Sequence, residues 1–445
     1  QTCALPISLV TSSKRRTVCH DATCRSHARM ADPDIVIVGA GSAGCVLAAR
    51  LAEDPARRVL LLEAGVDDGH LLVRVPLGAA KAWNSPRFNW SYASAPETAT
   101  GERPIFIPRG KVLGGSSSIN MMAWVRGHRA DYDRWAASGL AGWSYDDVLP
   151  YFKRAEDFED GASDYRGAGG PVAVRRGRAN DPLYEAFFES APSLGYGFNP
   201  DYNGAAQEGF ARTQFNVRDG RRASAAAAYL RPALRKGNVQ KGNVQVVTGA
   251  HATRVLFENQ RAIGVEYLQG GQRRQVRAGE VIVASGAINS PQLLMLSGIG
   301  PADELRRHGI DVRIDLPGVG SNHQDHPAVR VSYLRATSSP ITAELRLDRL
   351  AISMARAYAT GTGFAAEPPA GVTAFIHSGE RNTIPDLQLF CVNAALGSRE
   401  WFPGWRAPLP DGFLFRACHL RTESRGTIRL ASADPLAAQI GRAHV

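Results

Sequence analysis

Three glycines at fixed spacing give the first chemical signal. Gly39, Gly41 and Gly44 form G-x-G-x-x-G in "VGAGSAGC", between a β-branched run and a helical one. The first glycine permits a tight turn, and the second lets a pyrophosphate approach the backbone. The third lets helix and strand pack closely. Ser42, Ala43 and Gly44 open a helix whose unpaired N–H groups and dipole suit phosphate oxygens. Glu63 ends the next strand, 19 residues past Gly44, where a carboxylate can accept from the ribose hydroxyls of an adenosine. The set points to an ADP-containing dinucleotide without separating NAD from FAD.

A second stretch, "PRGKVLGGSSSINMMAWVRGHRADYDRW" (108–135), puts adjacent glycines, three serines and Asn120 in one loop. Backbone N–H groups and hydroxyls so concentrated suit phosphate or flavin edges. It is not a P-loop, because Arg109-Gly110-Lys111-Val112 lacks the Ser/Thr and the upstream glycine. Nor is it a nucleophile elbow, because Gly114-Gly115-Ser116-Ser117-Ser118 ends wrongly for G-x-S-x-G.

These residues need elements to hold them. "DIVIVGAG" (34–41) and "RVLLLEAG" (58–65) read as buried parallel strands, joined by the helical "SAGCVLAARLAED" into one βαβ unit. Gly/Pro/Asn-rich sequence predicts loops with a few short elements over 76–110. "DYDRWAAS" and "SYDDVLPYFKRAED" predict helices, the second with an acidic first turn. Residues 161–219 read as an inserted excursion. "VQVVTG", "HATRVLFE", "AIGVEYL" and "RQVRAGEVIVASG" alternate at period two and predict a β-meander leading into a strand. "AELRLDRLAISMARAYATG" reads as helix within a second mixed region, 328–421. The tandem "KGNVQKGNVQ" (236–245) is too short for a solenoid repeat.

Composition narrows the partners. The chain has 445 residues and a net charge of +10, but only six of its 52 basic residues are Lys. The arginines are scattered, as GC-rich bacterial DNA would give, and form no nucleic-acid stripe. Six cysteines carry no CxxC and no paired spacing, so neither a disulfide framework nor a metal site is expected. No run of about eighteen apolar residues predicts a transmembrane segment. A cytoplasmic protein is expected, with peripheral membrane association left open.

Both ends read as foreign. Thr2–Ile7 and Ile440–Val445 are compatible with one oligonucleotide read on opposite strands. The expectation is therefore a doubtful leader over 1–29, a start at Met30, and an adapter-derived tail over 439–445. About half of the net charge lies in these ends, since residues 1–29 hold five Lys/Arg and one Asp and the tail holds Arg442.

With these motifs in place, the chain resembles the glucose–methanol–choline (GMC) family of FAD-dependent oxidoreductases. The 108–135 loop resembles that family's first signature, and "GAINSPQLLMLSGIGP" (286–301) its second. "LPGVGSNHQDHP" (316–327) and "SRGTIRLASADP" (424–435) resemble two later segments, in family order. The resemblance implies an α/β fold: a Rossmann-like FAD-binding domain (30–160 and 220–330) with a discontinuous α+β substrate domain (161–219 and 331–423). The latter would be an antiparallel sheet covered by helices, followed by the start of a truncated C-terminal segment at 424–438.

Carried over by position, Gly39, Gly41, Ser42, Ala43, Gly44 and Glu63 would hold the ADP half of FAD. Arg109, Val112, Gly115, Asn120, Met121, Met122 and Ala123 would line the isoalloxazine and ribityl chain. Ala252 would touch the adenine region by its backbone. Ile119 stands where some members carry a His bonded to flavin, so the FAD is expected to be non-covalent. Asp325 and His326 would be structural, and His323, in place of Leu, a packing residue.

The implied activity is oxidation of a primary or secondary alcohol to a carbonyl by hydride transfer to flavin. The partners would be a small-molecule alcohol (choline, aliphatic or aromatic) and an electron acceptor such as a quinone or O2. The family's catalytic His (H-P-x-G-T) and its His/Asn partner match no segment of this sequence. No catalytic residue is therefore assigned, and the chain as given is expected to be inactive. A lyase on the same scaffold with a redox-idle flavin, or a non-catalytic FAD-binding remnant, are the alternatives.

Overall fold

Ile35–Val38 (β1) and Val59–Leu62 (β2) are apolar at every position because both faces of their sheet are covered. A computed structural model describes residues 32–235, 243–368, 370–379 and 384–437. In it the two strands pair in parallel, Ile35 beside Val59 and Val38 beside Leu62. Val244–Val247 continues the sheet beyond β2, and Glu280–Val283 continues it beyond β1, again in parallel.

Side chains alternate between two cores. Ile35, Ile37, Val59 and Leu61 meet Cys45 and Ala48 of the helix Ser42–Leu51 (α1), together with Ala226 and Leu230. Val36, Val38, Leu60 and Leu62 meet Val255 and Val265 on the other side. Those two belong to an antiparallel meander of Ala250–Glu258, Arg261–Gln269 and Gln272–Arg277. Each such side chain taken fully out of water contributes roughly 1.5–3 kcal/mol before entropy is counted. The sheet that carries the glycine turn is therefore held from both faces.

One strand differs from the sequence reading. Val244–Val247 was expected in the meander but forms the edge of the parallel sheet, where Glu63 N donates to Val247 O at 2.9 Å. Edge exposure explains its alternation, with Val244 buried and Gln245 exposed. The helical run at 343–361 is also two helices, Pro340–Glu344 and Leu347–Thr360, because Arg346 is extended at ψ 128.

A second sheet is antiparallel, in the order Ala328–Leu334, Gly412–His419, Leu387–Val392, Val372–Ile376, Gly209–Arg212. Its last strand comes from far upstream of the other four, so this sheet is discontinuous in sequence. The helix Pro182–Ser190 covers one face through Tyr184 and Phe187, packed on Phe210, Val372 and Ala374. On the opposite face Ala211 and Phe375 meet Tyr202, with Val125 and Leu420 beside them. The Tyr202 hydroxyl donates to Trp124 O at 3.1 Å, so this face is turned toward the 108–135 segment. The architecture is the α/β one expected.

Among the described residues no helix is long and apolar enough to cross a membrane. The leader 1–29, the tail 439–445 and most of the KGNVQ duplication lie outside the described residues.

Candidate cofactor site

The three glycines divide their work as their spacing predicts. Gly39 sits at φ +97, and a Cβ there would fall 2.7 Å from Ala284 O. A Cβ on Gly44 would fall 1.9 Å from Gly39 O, so only glycine lets α1 lie this close to β1. At Gly41 a Cβ would meet nothing within 4 Å, so the backbone there is open to a ligand. The N-cap Gly41 offers no side-chain cap, and Ser42 and Ala43 are exposed. The first-turn N–H groups of α1 have no intrahelical acceptors and point toward this opening.

The second glycine-rich segment crosses the first with no side chain between them. Gly115 has φ +54, and its Cβ would lie 2.7 Å from Gly41 Cα. Gly114 N donates to Ala40 O at 2.8 Å. A Cβ on Gly65 would fall 2.0 Å from Lys111 C, and one on Gly110 would fall 2.2 Å from Gly115 C. This segment owes its glycines to close backbone crossing as well as to ligand access.

Glu63 is 5% exposed at the end of β2. Its Oε2 accepts from Ala40 N at 2.9 Å and its Oε1 from Gly65 N at 2.8 Å. Burial pushes its carboxyl up to about 7, against the lowering effect of those two bonds. Each oxygen keeps a further lone pair for a ribose hydroxyl. Ala250 N donates to Glu63 O at 2.8 Å, which brings the strand holding Ala252 to this end of β2.

The remaining predicted residues divide by side-chain direction. Asn120 is exposed, and its Oδ1 accepts from Met122 N at 3.1 Å. Met122 adopts φ +62 and turns its side chain into a cluster with Ala79, Phe215 and Val217. Met121 and Ala123 are half-buried beside it. Val112 is fully buried with Ile119, Val73 and Phe88. Val112 and Met122 therefore present backbone, not side chain, to any ligand over this loop. Arg109 pairs with Asp325 at 3.3 Å, tying the loop to the 316–327 segment. His323 exchanges backbone hydrogen bonds with Gly426 at 2.9 and 2.7 Å, which joins that segment to the SRG stretch.

Two supports were missed by sequence reasoning. Arg222 is buried and donates through Nη1 to Ser117 O, Asn120 O and Asn120 Oδ1 at 3.2, 2.7 and 2.8 Å. Burial alone pulls its guanidinium down to about 9. Glu156, fully buried, accepts from Arg126 Nη2 at 2.5 Å, Arg166 Nε at 2.9 Å and Gly167 N at 2.9 Å. That cluster fastens the end of the 108–135 segment to the excursion. Neither carries a motif, since the partners are scattered in sequence.

A sequence model of the family described as GMC oxidoreductase matches residues 33–328. The chain belongs to the GMC oxidoreductase family. It is 42% identical over 411 residues to an oxygen-dependent choline dehydrogenase of Brucella ovis, covering 91% of this chain and 72% of that one. The figures are 42% over 407 residues, with the same coverage, for the enzyme of that name in Rhizobium etli. Among solved structures it is similar to pyridoxine 4-oxidase from Mesorbium loti, at TM-score 0.78 and 29% identity, covering 92% of this chain and 75% of that one. It is also similar to a formate oxidase from Aspergillus oryzae, at TM-score 0.82 and 26% identity, covering 92% and 77%. The chain is thus an FAD-dependent oxidoreductase, and the open backbone at Gly41 and the buried Glu63 fit that cofactor.

Proposed function

We propose that this GMC oxidoreductase oxidises a primary or secondary alcohol to a carbonyl, with a quinone or O2 as final acceptor. Bound FAD supplies the two-electron sink for the hydride leaving the carbinol carbon. The protein's part is to hold and shield. Gly41 and the α1 N-terminus take the pyrophosphate, and Glu63 takes the ribose. Arg109, Gly115, Asn120 and the backbone of Val112 and of 121–123 support the flavin, with Ala252 at the adenine end. The observation that carries this reading is the crossing of the two glycine segments at Gly41 and Gly115, which leaves one side of Gly41 free.

We further propose non-covalent FAD. Ile119 has no nucleophilic atom, and its side chain is buried in an apolar cluster. Acid precipitation should leave all flavin in the supernatant. Steady-state assays with a quinone-like dye or O2, on choline and on aliphatic and aromatic alcohols, test the activity. No turnover is expected from a chain without the family's H-P-x-G-T histidine. With a segment carrying that motif fused C-terminally, carbonyl product from at least one alcohol is expected, and none from any would refute the reading. We propose no catalytic base among the described histidines. His326 is solvent-exposed, and its backbone N–H donates to Asp325 Oδ1 at 2.8 Å, a turn contact that leaves the imidazole no part in it.

A further inference from the structure

The antiparallel sheet turns one face to the FAD-binding half. Ala211 and Phe375 lie on that face, under Tyr202 and Val125. Cross-strand partners share a face, so the pairing register fixes which other residues lie there. Gln388 pairs with Phe375 and with Cys418. Arg416 pairs with Phe390 on one side and with Arg330 on the other. Cys418 pairs with Ala328, three residues after Asp325, which is tied to Arg109 of the flavin loop, so this end of the face is near that loop.

Arg330 and Arg416 are thus directly opposed like charges on the cofactor-facing side. Such a pair is unfavourable in a sheet. Among the described residues neither side chain makes an ion pair or a side-chain hydrogen bond, although Arg335 and Arg421, just beyond the ends of the same two strands, are both ion-paired. Arg330 is exposed and Arg416 half-buried, and Phe390 is the apolar cross-strand neighbour of Arg416.

Resting on the reading of the chain as an alcohol-oxidising flavoenzyme, we infer that Arg330 and Arg416 form the specificity pair for an anionic substrate. That substrate is an alcohol whose carboxylate, or a comparable oxyanion, sits between the two guanidiniums. Its apolar part lies on Phe390 and its carbinol points toward the flavin loop. Guanidinium forks suit carboxylates in bidentate geometry. A quaternary ammonium alcohol would meet two positive charges here, so substrate charge should differ from that of the choline-oxidising relatives.

The test is binding, independent of turnover. The FAD-loaded full chain is titrated calorimetrically with 3,3-dimethylbutanoate, with neutral 3,3-dimethylbutanol and with choline, and the visible flavin spectrum is followed. The carboxylate should bind at least roughly tenfold more tightly than either isostere. Arg330→Gln and Arg416→Gln should each remove most of that preference without loss of thermal stability. Equal binding of all three, or a preference unchanged in both variants, overturns the proposal. Loss of stability in both variants without carboxylate binding also overturns it, since the pair would then serve an internal acid. Failure of every alcohol to reduce the flavin of the protein carrying a fused H-P-x-G-T segment, while carboxylate binding persists, would count against alcohol oxidation and leave the anion pair standing.

Discussion

Gly115 lies so close to Gly41 that a single added methyl group would sit 2.7 Å from the Gly41 Cα. The two cofactor segments are thus one unit, and substitutions in them should separate folding from cofactor binding. Gly44→Ala drives a Cβ to 1.9 Å from Gly39 O and should destabilise the whole sheet, by roughly 2 kcal/mol or more. Gly41→Ala meets no protein atom within 4 Å and should fold normally. It should still lose most FAD, because the new methyl stands in the open space. Apoprotein melting temperature and flavin-to-protein ratio read the two effects separately.

Glu63 should make FAD binding pH-dependent. Its folded-state carboxyl is raised to about 7 by burial. A raised acid contributes stability that is fully present below its unfolded value and is lost as pH rises through the folded one. Apoprotein stability should therefore fall between about pH 4.5 and 7, by about 3 kcal/mol. Ribose hydroxyls donate to the ionised form, so FAD affinity should rise over the same window. Glu63→Gln should flatten the affinity profile and weaken binding, because an amide N–H would face either Ala40 N or Gly65 N. Fluorescence titration across that pH range is the check.

Arg222 should act through the loop it holds. Arg222→Lys keeps the charge but cannot reproduce the three bonds to Ser117 and Asn120. The expected result is FAD affinity weaker by about tenfold, with a shifted visible flavin spectrum. An unchanged spectrum and affinity would show that the loop holds its shape without it.

The Glu156 cluster should matter for stability. Burial raises its carboxyl, but the Arg166 hydrogen bond and the Arg126 charge outweigh this and hold it below its ordinary value. Its contribution is therefore present above the ordinary carboxylate range and lost as pH falls below it. Glu156→Gln leaves Arg126 and Arg166 buried without that charge and should cost about 3–5 kcal/mol, read by urea denaturation.

What was legible in the sequence follows from locality. Gly39, Gly41, Gly44 and Glu63 announce themselves because turn, helix start and strand end lie within thirty residues and each demands one residue type. The parallel sheet was legible in β1 and β2, where every side chain is buried. It was not legible in Val244–Val247, whose edge position mimics a meander strand. The helix at 343–361 hid a break, because nothing local marks Arg346 as extended. Arg222 and the Glu156 cluster were invisible because no fixed spacing marks their partners, which lie from 10 residues away (Arg166 to Glu156) to 105 (Ser117 to Arg222). Like-charge Arg330 and Arg416 meet only through the register of two strands far apart in the chain.

The most direct test of the central claim is anaerobic mixing of the FAD-loaded protein with excess alcohol while the visible flavin absorbance is followed. For the protein carrying a fused H-P-x-G-T segment, the account predicts that at least one alcohol bleaches the flavin, with one carbonyl product per flavin. Flavin that dithionite bleaches but that no alcohol reduces would contradict it.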